Sequence, residues 1–133
     1  MSFGPLELSH TIRISVIDDH DLVREAVETL IQSLGYEVDT FASGAEYLAS
    51  SRVHDYSCII ADVRMSGLTG IDLQERLIGK GLFTPIIFMS ANSTEALARR
   101  LIGAGAVGFL SKPLKAESLI EYLDKALKNS VLV

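Results

Sequence analysis

The stretch Ile14-Ser15-Val16-Ile17-Asp18-Asp19 decides the fold, because a short apolar run ends there in two acidic residues. Apolar runs of this length, rich in Ile and Val, predict β-strands that are covered on both faces. Four more runs follow at roughly even spacing, and the second alternates as a strand near a sheet edge would. The five predicted strands are Ile12–Ile17, Tyr36–Phe41, Ser57–Ala61, Pro85–Ser90 and Val107–Leu110.

Segments with helical spacing separate these runs. In the first, Leu22, Ala26 and Leu30 step by four, Asp21 is a plausible N-cap, and Gly35 is a plausible stop. Alternation of strand and helix repeated five times predicts an α/β domain with a doubly wound, five-stranded parallel sheet. The other predicted helices run from Ser43 to about Ser51, from Gly70 to Gly79, from Ser93 to Gly103, and from Leu114 to Lys128.

Composition limits the class of protein. The chain has 133 residues, of which 48% are hydrophobic and 22% charged, and these values predict one folded domain. The net charge of −5 argues against nucleic-acid binding by this domain. Cys58 is the single cysteine, so no internal disulfide is expected. We find no secretion signal and no stretch long enough to span a membrane, and therefore expect a cytoplasmic protein.

Polar side chains follow four of the five strands at the point where each strand ends. They are Asp18 and Asp19 after the first, Asp62 after the third, Ser90 after the fourth and Lys112 after the fifth. The carboxyl ends of parallel strands share one edge of the sheet, where open α/β sheets place their sites. We therefore expect these five groups to converge.

The chemistry of such a cluster is constrained. Three carboxylates in one pocket repel each other unless a cation is present. Mg²⁺ prefers oxygen ligands, and a lysine and a hydroxyl can both contact phosphoryl oxygens. Together these groups are the parts needed to transfer a phosphoryl group to an aspartate.

The motifs around these residues resemble the receiver domain of two-component response regulators, the CheY-like fold, over about residues 12–128. The resemblance implies strand order 2-1-3-4-5. The details of Asp62-Val63-Arg64-Met65, with Gly35-Tyr36-Glu37-Val38 earlier in the chain, look most similar to the FixJ-type subgroup, whose members usually carry a DNA-binding output domain. The matching motifs are Ile17-Asp18-Asp19, Asp62-Val63-Arg64-Met65-Ser66-Gly67-Leu68-Thr69-Gly70, Met89-Ser90-Ala91 and Gly105-Ala106-Val107-Gly108-Phe109-Leu110-Ser111-Lys112-Pro113.

The resemblance implies a role for each site residue. Asp62 would accept a phosphoryl group from a histidine kinase. Asp18 and Asp19, with Asp62 and the backbone carbonyl of Arg64, would hold Mg²⁺ or Mn²⁺. Lys112 would contact the acyl phosphate. The domain would then be a signalling phosphoacceptor that catalyses only its own phosphorylation and dephosphorylation.

The resemblance also implies a switch. Ser90 would bond a phosphoryl oxygen and Phe109 would turn inward in response. Arg64 and Asn92 match positions that tune the loss of the phosphoryl group, and Pro113 matches a proline that commonly follows a cis peptide bond. The readout would be the face of the fourth helix, fifth strand and fifth helix, a possible homodimer interface that carries Arg99 and Arg100. Ser66, where proline is usual, and Gly108, where an acidic residue is frequent, depart from the family pattern.

Two other functions stay open at this stage. Asp19 in Asp19-His20-Asp21-Leu22-Val23 fits the nucleophile motif of haloacid-dehalogenase-type phosphatases, although a later acidic pair on a strand end is missing. A receiver-like module that binds partners without phosphorylation is the second. We expect an N-terminal extension at residues 1–11, the receiver at 12–128, and a tail or the start of a linker to an output domain at 129–133.

Overall fold

A computed structural model describes residues 12–92 and 94–131, with side chains up to residue 128. All strand pairs are parallel, and the sheet has the order β2-β1-β3-β4-β5. This confirms the predicted doubly wound architecture and strand order. The strands are β1 (Arg13–Ile17), β2 (Glu37–Phe41), β3 (Cys58–Asp62), β4 (Ile86–Ser90) and β5 (Gly108–Ser111), and the helices are α1 (Asp21–Ser33), α2 (Gly44–Leu48), α3 (Gly70–Gly79), α4 (Glu95–Gly103) and α5 (Ala116–Val131).

Alternating side chains of the strands pack into two cores, one on each face of the sheet. In β3, Cys58 and Ile60 face α1 and α5, whereas Ile59 and Ala61 face α2, α3 and α4. Every residue of β3 and β4 is buried, as the continuous apolar runs predicted, while β2 stays partly exposed at its edge. Within the described residues, no helix is long and apolar enough to cross a membrane.

Several helix boundaries differ from the predicted ones. Helix α1 begins at Asp21, so its N-cap is His20 rather than Asp21, and the cap makes no side-chain hydrogen bond. Helix α2 ends at Leu48, well before the predicted Ser51. Helix α5 begins at Ala116 and continues to Val131, past the predicted end at Lys128.

The remaining caps follow the expected chemistry of helix starts. Thr69 and Asp72 form a capping box at α3, in which each side chain accepts a hydrogen bond from the other residue's backbone N–H. Thr94 caps α4 by accepting from the Leu97 N–H, while the predicted start, Ser93, lies outside the described residues. Residues 1–11, the predicted extension, also lie outside the described residues.

Candidate functional site

The predicted site residues stand at one edge of the sheet because the strand ladders place them there. The Asp18 N–H donates to the Phe41 carbonyl at 3.1 Å, so Asp18 extends the pairing of β1 with β2. The Lys112 N–H donates to the Ser90 carbonyl at 2.9 Å, which extends the pairing of β5 with β4. Asp62 is the last residue of β3, between these two pairs.

Lys112 joins two of the buried carboxylates. Its Nζ donates to Asp18 Oδ2 at 2.8 Å and to Asp62 Oδ2 at 3.2 Å. The Asp18 and Lys112 side chains are 0% and 12% exposed, and that of Asp62 is 4% exposed. Two carboxylates that share one ammonium group keep a net negative charge, so the cluster favours a further cation.

The environment shifts the pKa of both partners in this contact. Burial raises the pKa of Asp62, and the nearby Asp18 charge adds to that effect, while Lys112 opposes it. Burial alone would lower the pKa of Lys112, but the carboxylates of Asp18 and Asp62 outweigh burial and raise it. Lys112 therefore keeps its positive charge in this pocket. That charge does not fully offset the cost of burying the Asp62 carboxylate beside Asp18.

Asp19 lies at the rim of the same cluster. Its Oδ2 accepts hydrogen bonds from the Ser66 backbone N–H at 3.1 Å and from Ser66 Oγ at 3.3 Å. Its Oδ1 is buried and accepts no hydrogen bond among the described residues, although His20 Nδ1 stands 3.1 Å away. A buried carboxylate oxygen without a donor has the chemistry of a cation ligand.

The cluster fits a divalent metal ion. Asp18, Asp19, His20 and Asp62 each offer a ligand atom, and these atoms lie within 4.8 Å of one another. The three carboxylates supply the hard oxygen donors that Mg²⁺ and Mn²⁺ accept. Arg64, whose carbonyl was a predicted ligand, donates its N–H to Asp62 Oδ1 at 3.4 Å and has an exposed side chain.

The remaining predicted residues border this cluster. Ser90 is fully buried, and its Oγ accepts a hydrogen bond from the Asn92 N–H at 3.2 Å. Phe109 is partly buried and packs against the core on the α4 side of the sheet. Asn92 is exposed. The peptide bond between Lys112 and Pro113 is cis.

The sequence analysis assigns no site role to two residues that support the site. Arg24 Nη1 donates to the Asp18 carbonyl at 2.7 Å, and its Nη2 pairs with Asp21 at 2.6 Å. In the sequence, Arg24 could have been found from its position one turn into a helix that begins directly after Asp18 and Asp19. Ser66 was noted only as a departure from proline, and its contact with Asp19 depends on folding of the loop between β3 and α3.

A family model described as the response regulator receiver domain matches residues 14–124. The chain belongs to this family. It is 37% identical over 115 residues to the response regulator protein TodT of Pseudomonas putida, a match that covers 86% of this chain and 51% of TodT. It is 32% identical over 123 residues to the transcriptional regulatory protein FixJ of Azorhizobium caulinodans, covering 92% of this chain and 58% of FixJ.

The likeness extends to solved receiver structures. The chemotaxis protein CheY4 of Vibrio cholerae superimposes with a TM-score of 0.79 at 30% identity, covering 87% of this chain and 98% of that one. The receiver family and the CheY-like fold inferred from the motifs are thus confirmed. The chain spans about half the length of the curated relatives it matches, several of which are named as regulators of transcription. Receivers of two-component systems are signalling domains rather than classical enzymes.

Proposed function

We propose that this receiver accepts one phosphoryl group on Asp62 from a histidine kinase and that the modification switches its interaction surface. The observation that carries the proposal is the Lys112 ammonium group bridging Asp18 and the buried Asp62 at the carboxyl edge of the sheet. A phosphoryl group on Asp62 would lie within reach of this cation. Buried cations stabilise the charge on phosphoryl oxygens more strongly than cations in water do.

The reaction balances without any further reactant. An Asp62 carboxylate oxygen forms the new bond to phosphorus as the bond from phosphorus to the kinase histidine breaks. The electron pair remains on the histidine nitrogen, which takes a proton from solvent. Asp18, Asp19, Asp62 and the Arg64 carbonyl would hold Mg²⁺, and that ion supplies charge neutralisation at the phosphoryl oxygens.

The switch would act through β4, which lies between β3, the strand that ends in Asp62, and β5, the strand that carries Phe109. Ser90 ends β4, directly beside β5, where Phe109 pairs with Phe88. The Ser90 hydroxyl can donate to the phosphoryl group while its oxygen still accepts from the Asn92 N–H, so a movement of Ser90 toward the phosphoryl group would carry the start of the loop after β4 with it. Phosphorylation would thus favour one arrangement of Ser90 and Phe109 over another and change the face of α4, β5 and α5.

The proposal assigns residues 12–128 to the receiver. The half-length match to relatives that include a transcriptional regulatory protein supports an output domain beyond the tail at 129–133. Homodimerisation through the α4, β5 and α5 face is a further part of the proposal. Arg99 and Arg100 are exposed on α4, where they could pair with acidic groups of a second copy.

The geometry favours Asp62 over Asp19 as the nucleophile. Asp19 is held by Ser66, whereas the lysine that a phosphatase would need contacts Asp18 and Asp62 instead. An unphosphorylated interaction module would have no need of a buried lysine between two buried carboxylates. The same set of contacts therefore argues against both alternatives.

Intact-mass measurement after incubation with acetyl phosphate and Mg²⁺ tests the proposal. We expect one phosphoryl group on the wild-type chain and on Asp55→Asn, a control aspartate that is exposed in the turn after α2. We expect none on Asp62→Asn, and none in chelator. Phosphorylation of Asp62→Asn at wild-type level, or sustained phosphate-ester hydrolysis that depends on Asp19, would overturn it. A folded wild type that takes up neither phosphoryl group nor beryllofluoride would favour the interaction module.

A further inference from the structure

Ser66 makes two contacts with one oxygen of Asp19. The backbone N–H and the Oγ hydroxyl both donate to Asp19 Oδ2, at 3.1 and 3.3 Å, although the two residues are 47 positions apart in the chain. A single residue that directs two donors to one carboxylate oxygen fixes both the position and the rotation of that carboxylate.

The loop that carries Ser66 is anchored on both sides. Gly70 N–H donates to the Val63 carbonyl at 2.8 Å and closes the loop between β3 and α3. Met65, the residue before Ser66, is 6% exposed and packs in the core on that face of the sheet. Ser66 is therefore presented to Asp19 by a closed and partly buried loop rather than by a loose surface segment.

Neither contact with Asp19 could form if position 66 were the proline that is usual in the family. Proline has no backbone N–H and no hydroxyl group. Both donors to Asp19 therefore depend on a serine, rather than a proline, at position 66.

We propose that Ser66 is a positioning residue for the metal site, which holds Asp19 so that Oδ1 is the oxygen presented to the ion. The inference rests on the proposed function, because it concerns the ion that would assist phosphorylation of Asp62. Oδ2 is occupied by Ser66, whereas Oδ1 is buried without a hydrogen-bond donor among the described residues. His20 Nδ1, the group beside Oδ1, belongs to a side chain that is 67% exposed and has room to withdraw.

The expected change in Mg²⁺ affinity is set by how strongly hydrogen-bond partners that orient a metal ligand affect metal binding. Loss of such a partner commonly weakens metal binding by about 10-fold to 100-fold. The Ser66 contacts are solvent-exposed, so we expect the loss of metal affinity to lie at the lower end of this range. We expect Ser66→Ala, which removes the hydroxyl alone, to raise the Mg²⁺ dissociation constant about threefold, and Ser66→Pro, which removes both donors, about tenfold.

Calorimetric titration of the full chain with Mg²⁺ alone tests this inference. Ser66→Thr, which keeps both donors, should bind as the wild type does, and so should Ser51→Ala, a control at an exposed serine in the turn after α2. The melting temperature in chelator should change little in Ser66→Ala, because the hydroxyl contact is solvent-exposed. Phosphorylation by acetyl phosphate should be slower at limiting Mg²⁺ and normal at saturating Mg²⁺, which a general structural defect would not produce.

Two results would overturn the inference. One is an unchanged dissociation constant in folded Ser66→Ala and Ser66→Pro. The other is a loss of phosphorylation in Ser66→Ala that persists at saturating Mg²⁺. If Ser66→Pro does not fold, Ser66→Ala and its rescue by Ser66→Thr still decide the matter. Failure of the wild type to bind Mg²⁺ would instead refute the proposed function, so the two failures are distinguishable.

Discussion

Replacement of Gly108 by alanine should destabilise the domain, although alanine is normally the better strand residue. A Cβ atom at Gly108 would clash with Cδ1 of Tyr122 on α5 and would stand 2.5 and 2.6 Å from Cε1 and Cγ of the same ring. Cγ is at the base of the ring, so movement of the ring tip cannot relieve the clash. Overpacking costs about 1–3 kcal/mol, against a gain of about 0.5–1 kcal/mol from glycine's lost backbone freedom. We expect a net loss of about 1–2 kcal/mol in the free energy of unfolding.

Urea denaturation of metal-free protein, followed by circular dichroism, measures this loss, and the melting temperature should fall by about 4–8 °C. Gly103→Ala on α4 is the matched control, because a Cβ there meets nothing within 4 Å. In a Tyr122→Ala background, Gly108→Ala should cost little, which gives a coupling free energy of about 1 kcal/mol or more. A Gly108→Ala protein as stable as the wild type, or a cost that persists without the Tyr122 ring, would refute the packing argument.

Three further changes probe other parts of the structure. Burial raises the pKa of Asp62 in the folded state. The stability that Asp62 contributes is therefore fully present below the ordinary aspartate pKa of about 3.9, and it is lost as the pH rises through the raised pKa. Asp62→Asn should therefore melt above the wild type at neutral pH in chelator, and this advantage should shrink toward pH 4; a constant difference would contradict it. Arg64→Ala should speed loss of the phosphoryl group about threefold, or roughly 0.7 kcal/mol of barrier, if the Arg64 side chain limits access of water; an unchanged rate in a dephosphorylation assay would exclude this role. Tyr56→Phe removes the 2.7 Å hydrogen bond from the Tyr56 hydroxyl to Asp39 Oδ2 and should cost about 1–2 kcal/mol in urea denaturation, with Mg²⁺ binding unchanged.

The sequence was sufficient to predict the sheet and the main site because both depend on strand ends. Apolar runs locate the strands, and parallel connections place Asp18, Asp62 and Lys112 at one edge. No knowledge of side-chain packing is needed for that step. The family motifs then identified which strand-end residues belong together.

Contacts set by tertiary packing could not be read in the same way. Helical spacing predicts Leu22 on the apolar face of α1, yet Leu22 is 82% exposed. The helix is oriented so that Val27 and Ile31 are the side chains that it buries. The bond from Ser66 to Asp19 depends on a closed loop, and the packing of Tyr122 on Gly108 depends on the approach of α5 to β5. None of these has a local pattern in the sequence.

The bond from Lys112 to Asp18 spans 94 positions and that to Asp62 spans 50. During synthesis, which proceeds from the N-terminus, both carboxylates leave the ribosome well before the lysine does. A growing chain thus holds its acidic residues without their cation until the fifth strand joins the sheet. If Asp62 accepts the phosphoryl group as proposed, the complete site would form only after Lys112 has been synthesised.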